Sequence, residues 1–176
     1  MRILARIMLV LFLLLAFNSA AYAEDEMLRV EFAVYSFLME HPYTNEDKDG
    51  KTMIMHSGKN CTYWVTIMNA PCSSEESTAM VVNGTLDGAC EGVLIGLAGT
   101  QESRSVISLH SRYPGREIKV KFTQRKIVGY LQQRIYLINR MLVSLSVGRM
   151  EGQLKSDTTN ADRFLNSLKV VPKKSR

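Results

Sequence analysis

Hydrophobic and polar positions alternate along this chain in two rhythms, and the change from one to the other outlines its elements. Residues 30–37 are rich in β-branched and aromatic side chains, and His41-Pro42 closes the run because proline removes a backbone donor and restricts its predecessor. Asp47-Lys48-Asp49-Gly50 reads as a turn. Residues 52–56 and 61–68 then form short apolar-rich runs on either side of Ser57-Gly58-Lys59-Asn60, the pattern of a hairpin. Beyond Pro71 the period lengthens. Val82, Leu86, Ala89, Val93 and Leu97 recur at three- and four-residue steps, as on a helix burying one stripe. Ser73 or Ser74 is the expected cap, with Glu75 and Glu76 suited to the helix dipole.

Strand rhythm returns afterwards. In Ile118-Lys119-Val120-Lys121-Phe122 apolar residues alternate strictly with lysines, which predicts one buried and one wet face near a sheet edge. Residues 129–138 and 141–147, divided by Asn139-Arg140, read as paired strands, and residues 105–111 as a weaker one before Pro114-Gly115. Ala161, Phe164, Leu165 and Leu168 form a closing helical stripe, started at Ser156 or Asp157 and stopped before Pro172. The order βββαββββα predicts an α+β fold, a largely antiparallel sheet with helices layered on it. Residues 24–171 make one domain, followed by a mobile basic tail at 172–176.

The first residues carry an address. Arg2 and Arg6 precede an unbroken apolar run at 7–17, and Ala21-Tyr22-Ala23 supplies the small-x-small pattern that signal peptidases read. Eleven apolar residues fall short of the roughly 20 needed to span a bilayer, so a signal peptide cleaved after Ala23, export to the periplasm or beyond, and a mature form without a membrane span are the expectations. Loss of the two leader arginines brings the formal charge from +5 to a mild +3. That is too little to mark a nucleic-acid binder.

An exported chain meets an oxidising compartment, and Cys61, Cys72 and Cys90 leave at least one thiol over. Cys61 and Cys72 stand at opposite ends of an extended run, too far apart to bridge. If the following helix runs back along that strand, Cys90 comes level with Cys61, which makes Cys61 with Cys90 the candidate disulfide; the alternative is three small buried hydrophobes. The chain has no Gly-rich phosphate loop, His-Glu-x-x-His, Cys-x-x-Cys or Gly-x-Ser-x-Gly. His41, His56 and His110 each stand alone, without ligand spacing. No catalytic, cofactor-binding or metal-binding residue is therefore assigned.

Gly84, Gly88, Gly92 and Gly96 recur every four residues within the helical segment. Each weakens an exposed helix by about 1 kcal/mol relative to alanine. They are either a surface that another backbone approaches closely, hence a candidate partner-docking stripe, or tolerated glycines in a helix broken near Asn83-Gly84.

Several segments carry a resemblance. Pro114-Gly115-Arg116-Glu117, Arg134-Ile135-Tyr136, Arg140 opening the next strand, and Phe164-Leu165-Asn166-Ser167-Leu168-Lys169 are similar to the second half of PsbP-like domains. The strand ending at residues 37–42 and the helix carrying Asp87-Gly88 before Gly96 are similar to the first half. The resemblance implies an α/β/α sandwich. It also implies non-enzymatic work, since such domains include an extrinsic subunit of the oxygen-evolving complex and a nuclear transport factor that binds a small GTPase. An exported accessory or protein-binding module of the cell envelope, partnered by another envelope protein, is the leading expectation. A periplasmic carrier of a small ligand or metal is second, and a thiol-dependent enzyme third.

Overall fold

The computed structural model describes residues 27–58, 61–153 and 158–171. The leader and its cleavage site, the expected helix start at Ser156 or Asp157, and the basic tail lie outside the described residues.

Strands β1 (Met27–Phe32) and β2 (Tyr35–Glu40) come first, then β3 (Thr44–Lys48), β4 (Lys51–Ser57) and β5 (Thr62–Asn69). Helix α1 (Ala79–Leu97) follows, then β6 (Thr100–Leu109), β7 (Tyr113–Gln124), β8 (Ile127–Ile138) and β9 (Met141–Met150). A 3-10 turn (Glu151–Gln153), helix α2 (Thr158–Leu165) and the short β10 (Lys169–Val170) complete the described residues. Seven strands form an antiparallel sheet in the order β3-β4-β5-β9-β8-β7-β6, and β1, β2 and β10 form a smaller one. The α+β sandwich expected from the sequence is present, with more strands than its pattern disclosed.

The extra strands have local causes. The run at 30–37 is the middle of a hairpin, folded back at Ala33-Val34 with Ala33 at φ 53°. The turn expected at 47–50 contracts to Asp49-Gly50, both at positive φ, the conformation that joins two strands most tightly. This releases the fully exposed Thr44–Lys48 as an edge strand, whose polar, charged side chains discourage pairing with another chain. Strand β7 does lie next to an edge, with only β6 outside it, and Ile118, Val120 and Phe122 are buried as the alternation required.

Alternate residues of the large sheet enter two separate cores. On one face Tyr63, Val65 and Ile67 of β5 and Val143, Leu145 and Val147 of β9 pack under the small sheet and α2. The closing stripe Ala161, Phe164, Leu165 and Leu168 is buried there, and the Phe164 ring lies 5.1 Å from that of Tyr63. Arg134 fastens this layer: it pairs with Glu117 on β7 and donates to the Leu165 carbonyl and, at 2.6 Å, to Asn166 Oδ1. On the other face α1 buries Val82, Leu86 and Cys90 against Ile118, Val120, Ile135 and Leu137.

Candidate functional site

Helix α1 starts later than the serines suggested. Its N-cap is Thr78, without a side-chain cap hydrogen bond. Ser73 and Ser74 instead tie the preceding turn: Ser73 Oγ accepts from Glu75 N, and Ser74 Oγ accepts from Asn139 N at 2.9 Å on the β8–β9 hairpin. Cys72 Sγ and Thr85 Oγ1, 3.1 Å apart, add a contact between this turn and the first part of the helix. The helix continues unbroken through Asn83-Gly84 and ends at Ala98, which takes a left-handed φ of 48°.

One edge of α1 is pinned. The buried Arg116 on β7 donates from Nε to Asp87 Oδ1 at 2.8 Å and from a terminal nitrogen to Asn83 Oδ1 at 2.9 Å. Arg104 on β6 pairs with Glu91 at 2.5 Å. These bonds, with Val82, Leu86 and Cys90, hold α1 over β7 and β8. The rest of that sheet face, on β4, β5 and β9, lies beyond the helix.

A trough of about 760 Å³ results, floored by the sheet and walled by α1. The even-numbered residues of β5 form its axis: Thr62, Trp64, Thr66 and Met68. Register places Met55 and Ser146 on either side of Trp64, Met53 and Ser144 beside Thr66, and Lys51 and Leu142 beside Met68. Trp64, the one tryptophan of the chain, is half-buried. A Cβ at position 148 would lie 3.0 Å from the Trp64 ring, so Gly148 on β9 is what lets the indole lean across that strand.

Gly84, Gly88 and Gly92 line the wall of the trough, and a Cβ at any of them would meet no atom within 4 Å. Their lack of side chains is not required by packing. Gly96 is half-buried and is not part of that lining. The outer surface of α1 also carries exposed apolar side chains, Met80 at 83% and Ile95 at 58%, alongside the acidic Asp87 and Glu91. By length and composition α1 is apolar enough to cross a membrane, yet here it forms an outer layer on the sheet.

Most of the lining is apolar, with polar atoms at a few points. Thr62 Oγ1 and Gln133 Oε1 are buried on the floor with no hydrogen-bond partner among the described residues; Gln133 is only 7% exposed. Lys51 supplies the single charge among the lining residues. Burial holds its ammonium below the usual lysine value, and Glu46 works against that shift.

The bridge expected between Cys61 and Cys90 is not formed. Cys61 belongs to the core under α2 and Cys90 to the core under α1, with the large sheet between them. Running the helix back along β5 matches the two in height; the alternation of strand faces sets them apart. Burial pushes the Cys90 thiol above its ordinary value, which disfavours the thiolate a nucleophile needs. Of the histidines, His56 is buried, with Nδ1 2.6 Å from the Pro42 carbonyl and Nε2 3.2 Å from Glu40 Oε2. Among the described residues no group of three or more His, Cys, Asp or Glu side chains is placed to hold a metal ion.

No family model and no curated protein matches the sequence. Among solved structures, cyanobacterial PsbP (CyanoP) from Synechocystis superimposes with a TM-score of 0.62 at 10% identity, covering 87% of this chain and 97% of that one. A Bacteroides thetaiotaomicron protein gives 0.51 at 10% identity over 81% of this chain, which spans 47% of that longer one. LpqN, involved in cell envelope biogenesis of Mycobacterium tuberculosis, gives 0.49 at 10% identity over 84% of this chain and 91% of that one. The fold is PsbP-like, and identities this low speak for the fold alone.

Proposed function

We propose that this chain is an exported, non-catalytic binding module whose trough between α1 and strands β4, β5 and β9 holds a small amphiphilic molecule. The carrying observation is the trough itself. A concavity of about 760 Å³ lies within the roughly 300–1,000 Å³ range of small-molecule sites, and apolar walls with a few polar atoms are the usual makeup of such sites. The apolar lining would hold a hydrocarbon part, and Lys51, the single charge among the lining residues, gives a polar part its partner. The reading departs from docking of an envelope protein along the glycine stripe because the glycines face an open hollow. Metal carriage finds no support in the groupings of His, Cys, Asp and Glu among the described residues.

Native mass spectrometry of the mature protein tests the reading, with Gly88→Leu/Gly92→Leu as the comparison. The expected result is a small-molecule adduct on the parent, removed by organic extraction and absent from the double variant. Identical bare masses, together with no thermal stabilisation of the stripped parent by methyl laurate, would overturn it. If the parent instead dimerises and the variant does not, the outer surface of α1, with Met80 and Ile95, is the functional feature.

A further inference from the structure

The trough is long, and its charge lies at one end. From Thr62 to Met68 the axis covers six residue steps, about 20 Å at strand rise. One leaflet of a bilayer is about 15 Å of hydrocarbon, half of the roughly 30 Å core, so a single extended acyl chain fits within this length. Met53, Met55 and Trp64 line the β4–β5 side; thioethers are unbranched and polarizable and adapt to an irregular chain. Lys51 stands at the opposite end from Thr62, beside Met68.

We infer that the ligand is a single-chain amphiphile with an anionic headgroup, its tail along Met53, Met55 and Trp64 and its head at Lys51; this rests on the binding trough proposed above. Two features fix the direction. Lys51 is half-buried, so a head placed beside it keeps part of its water, whereas Thr62 at the opposite end is fully enclosed and would strip a charge of its hydration. The ammonium of Lys51 is itself partly desolvated, and an anion alongside restores what burial removed. Glu46 is the carboxylate acting on Lys51, and it belongs to the fully exposed strand β3, where solvent screens it.

Trp64 reports occupancy directly, as the one indole in the chain. The test titrates its emission with laurate and dodecyltrimethylammonium below their micelle concentrations and with methyl laurate below its solubility limit. Laurate is expected to bind about fivefold more tightly than methyl laurate, with the cation weakest. In Lys51→Gln the ratio of laurate to methyl laurate affinity should fall to about one, and Lys51→Arg should retain the advantage of laurate. Equal affinities for laurate and methyl laurate in the parent, or undiminished laurate binding by Lys51→Gln, would overturn the assignment. So would a loss of laurate binding confined to Gln133→Leu, which would place the head midway along the trough, level with Trp64. If none of the three probes saturates, the binding reading fails as a whole.

Discussion

Strand β5 shows the same backbone to two different surroundings. Its odd residues Tyr63, Val65 and Ile67 are sealed under α2 and the small sheet, while its even residues Trp64 and Met68 stay half-buried beside α1. The sealed face is filled by large side chains from both layers, Phe164 against Tyr63 above all. Opposite the other face, α1 presents glycines where side chains would fit. Along β5 the side under α2 is packed shut, and on the other side the chain forgoes helix propensity to leave room.

The largest test of that contrast compares truncations across the sheet. Phe164→Ala should lower unfolding free energy by about 3–5 kcal/mol in urea titrations, whereas Met53→Ala on the trough wall should cost under about 1 kcal/mol. Equal losses would mean the two faces are packed alike. Next comes the pinned edge. Arg116→Met removes the bonds to Asp87 and Asn83, and a loss of about 1–3 kcal/mol is expected, with methyl laurate binding weakened as α1 is released from β7. A variant with normal stability and normal binding would show that α1 is held without this clasp.

The glycines sharpen the comparison in the opposite direction. Gly88→Ala and Gly92→Ala should each raise stability by up to about 1 kcal/mol, since a Cβ there meets open space, and calorimetry should show a higher Tm. Destabilisation would mean that α1 needs its glycines for packing. The smallest effect concerns Cys90. A raised thiol value means the folded protein keeps a proton that the unfolded chain loses, so stability should decline as pH climbs through and above the ordinary thiol range. Cys90→Ser should flatten that decline, and Cys90 should react with maleimide far more slowly in the folded protein than in urea.

Much of this contrast was written in the residues, though not where a single-period reading finds it. The stripe Ala161, Phe164, Leu165 and Leu168 and the alternation at 118–122 belong to surfaces covered on one side, and both were legible. Met53-Ile54-Met55 is apolar on consecutive positions, the sign of a strand with apolar surroundings on both faces, and a glycine-rich helix cannot fill the second face. Joined, those two facts imply a hollow. The hairpin at Ala33-Val34 was hidden because both residues are ordinary strand or helix formers and only tertiary pairing imposes φ 53°. The Cys61–Cys90 pairing failed on parity, since matching the two in height ignored the alternation that sends Cys61 to the opposite face of the sheet. Arg116, Arg134 and Phe164, residues that carry the PsbP resemblance, turn out to fasten helices to the sheet.

The central claim is that Trp64 lies in a hollow that admits an acyl chain. Quenching of its emission by a bromine-labelled dodecanoate tests this most directly. Saturable quenching that is lost in Gly88→Leu/Gly92→Leu, with the fold of the variant intact by circular dichroism, is the expected result. Quenching that rises linearly with concentration, equal in parent and variant, would show only chance collisions at the surface and contradict the account.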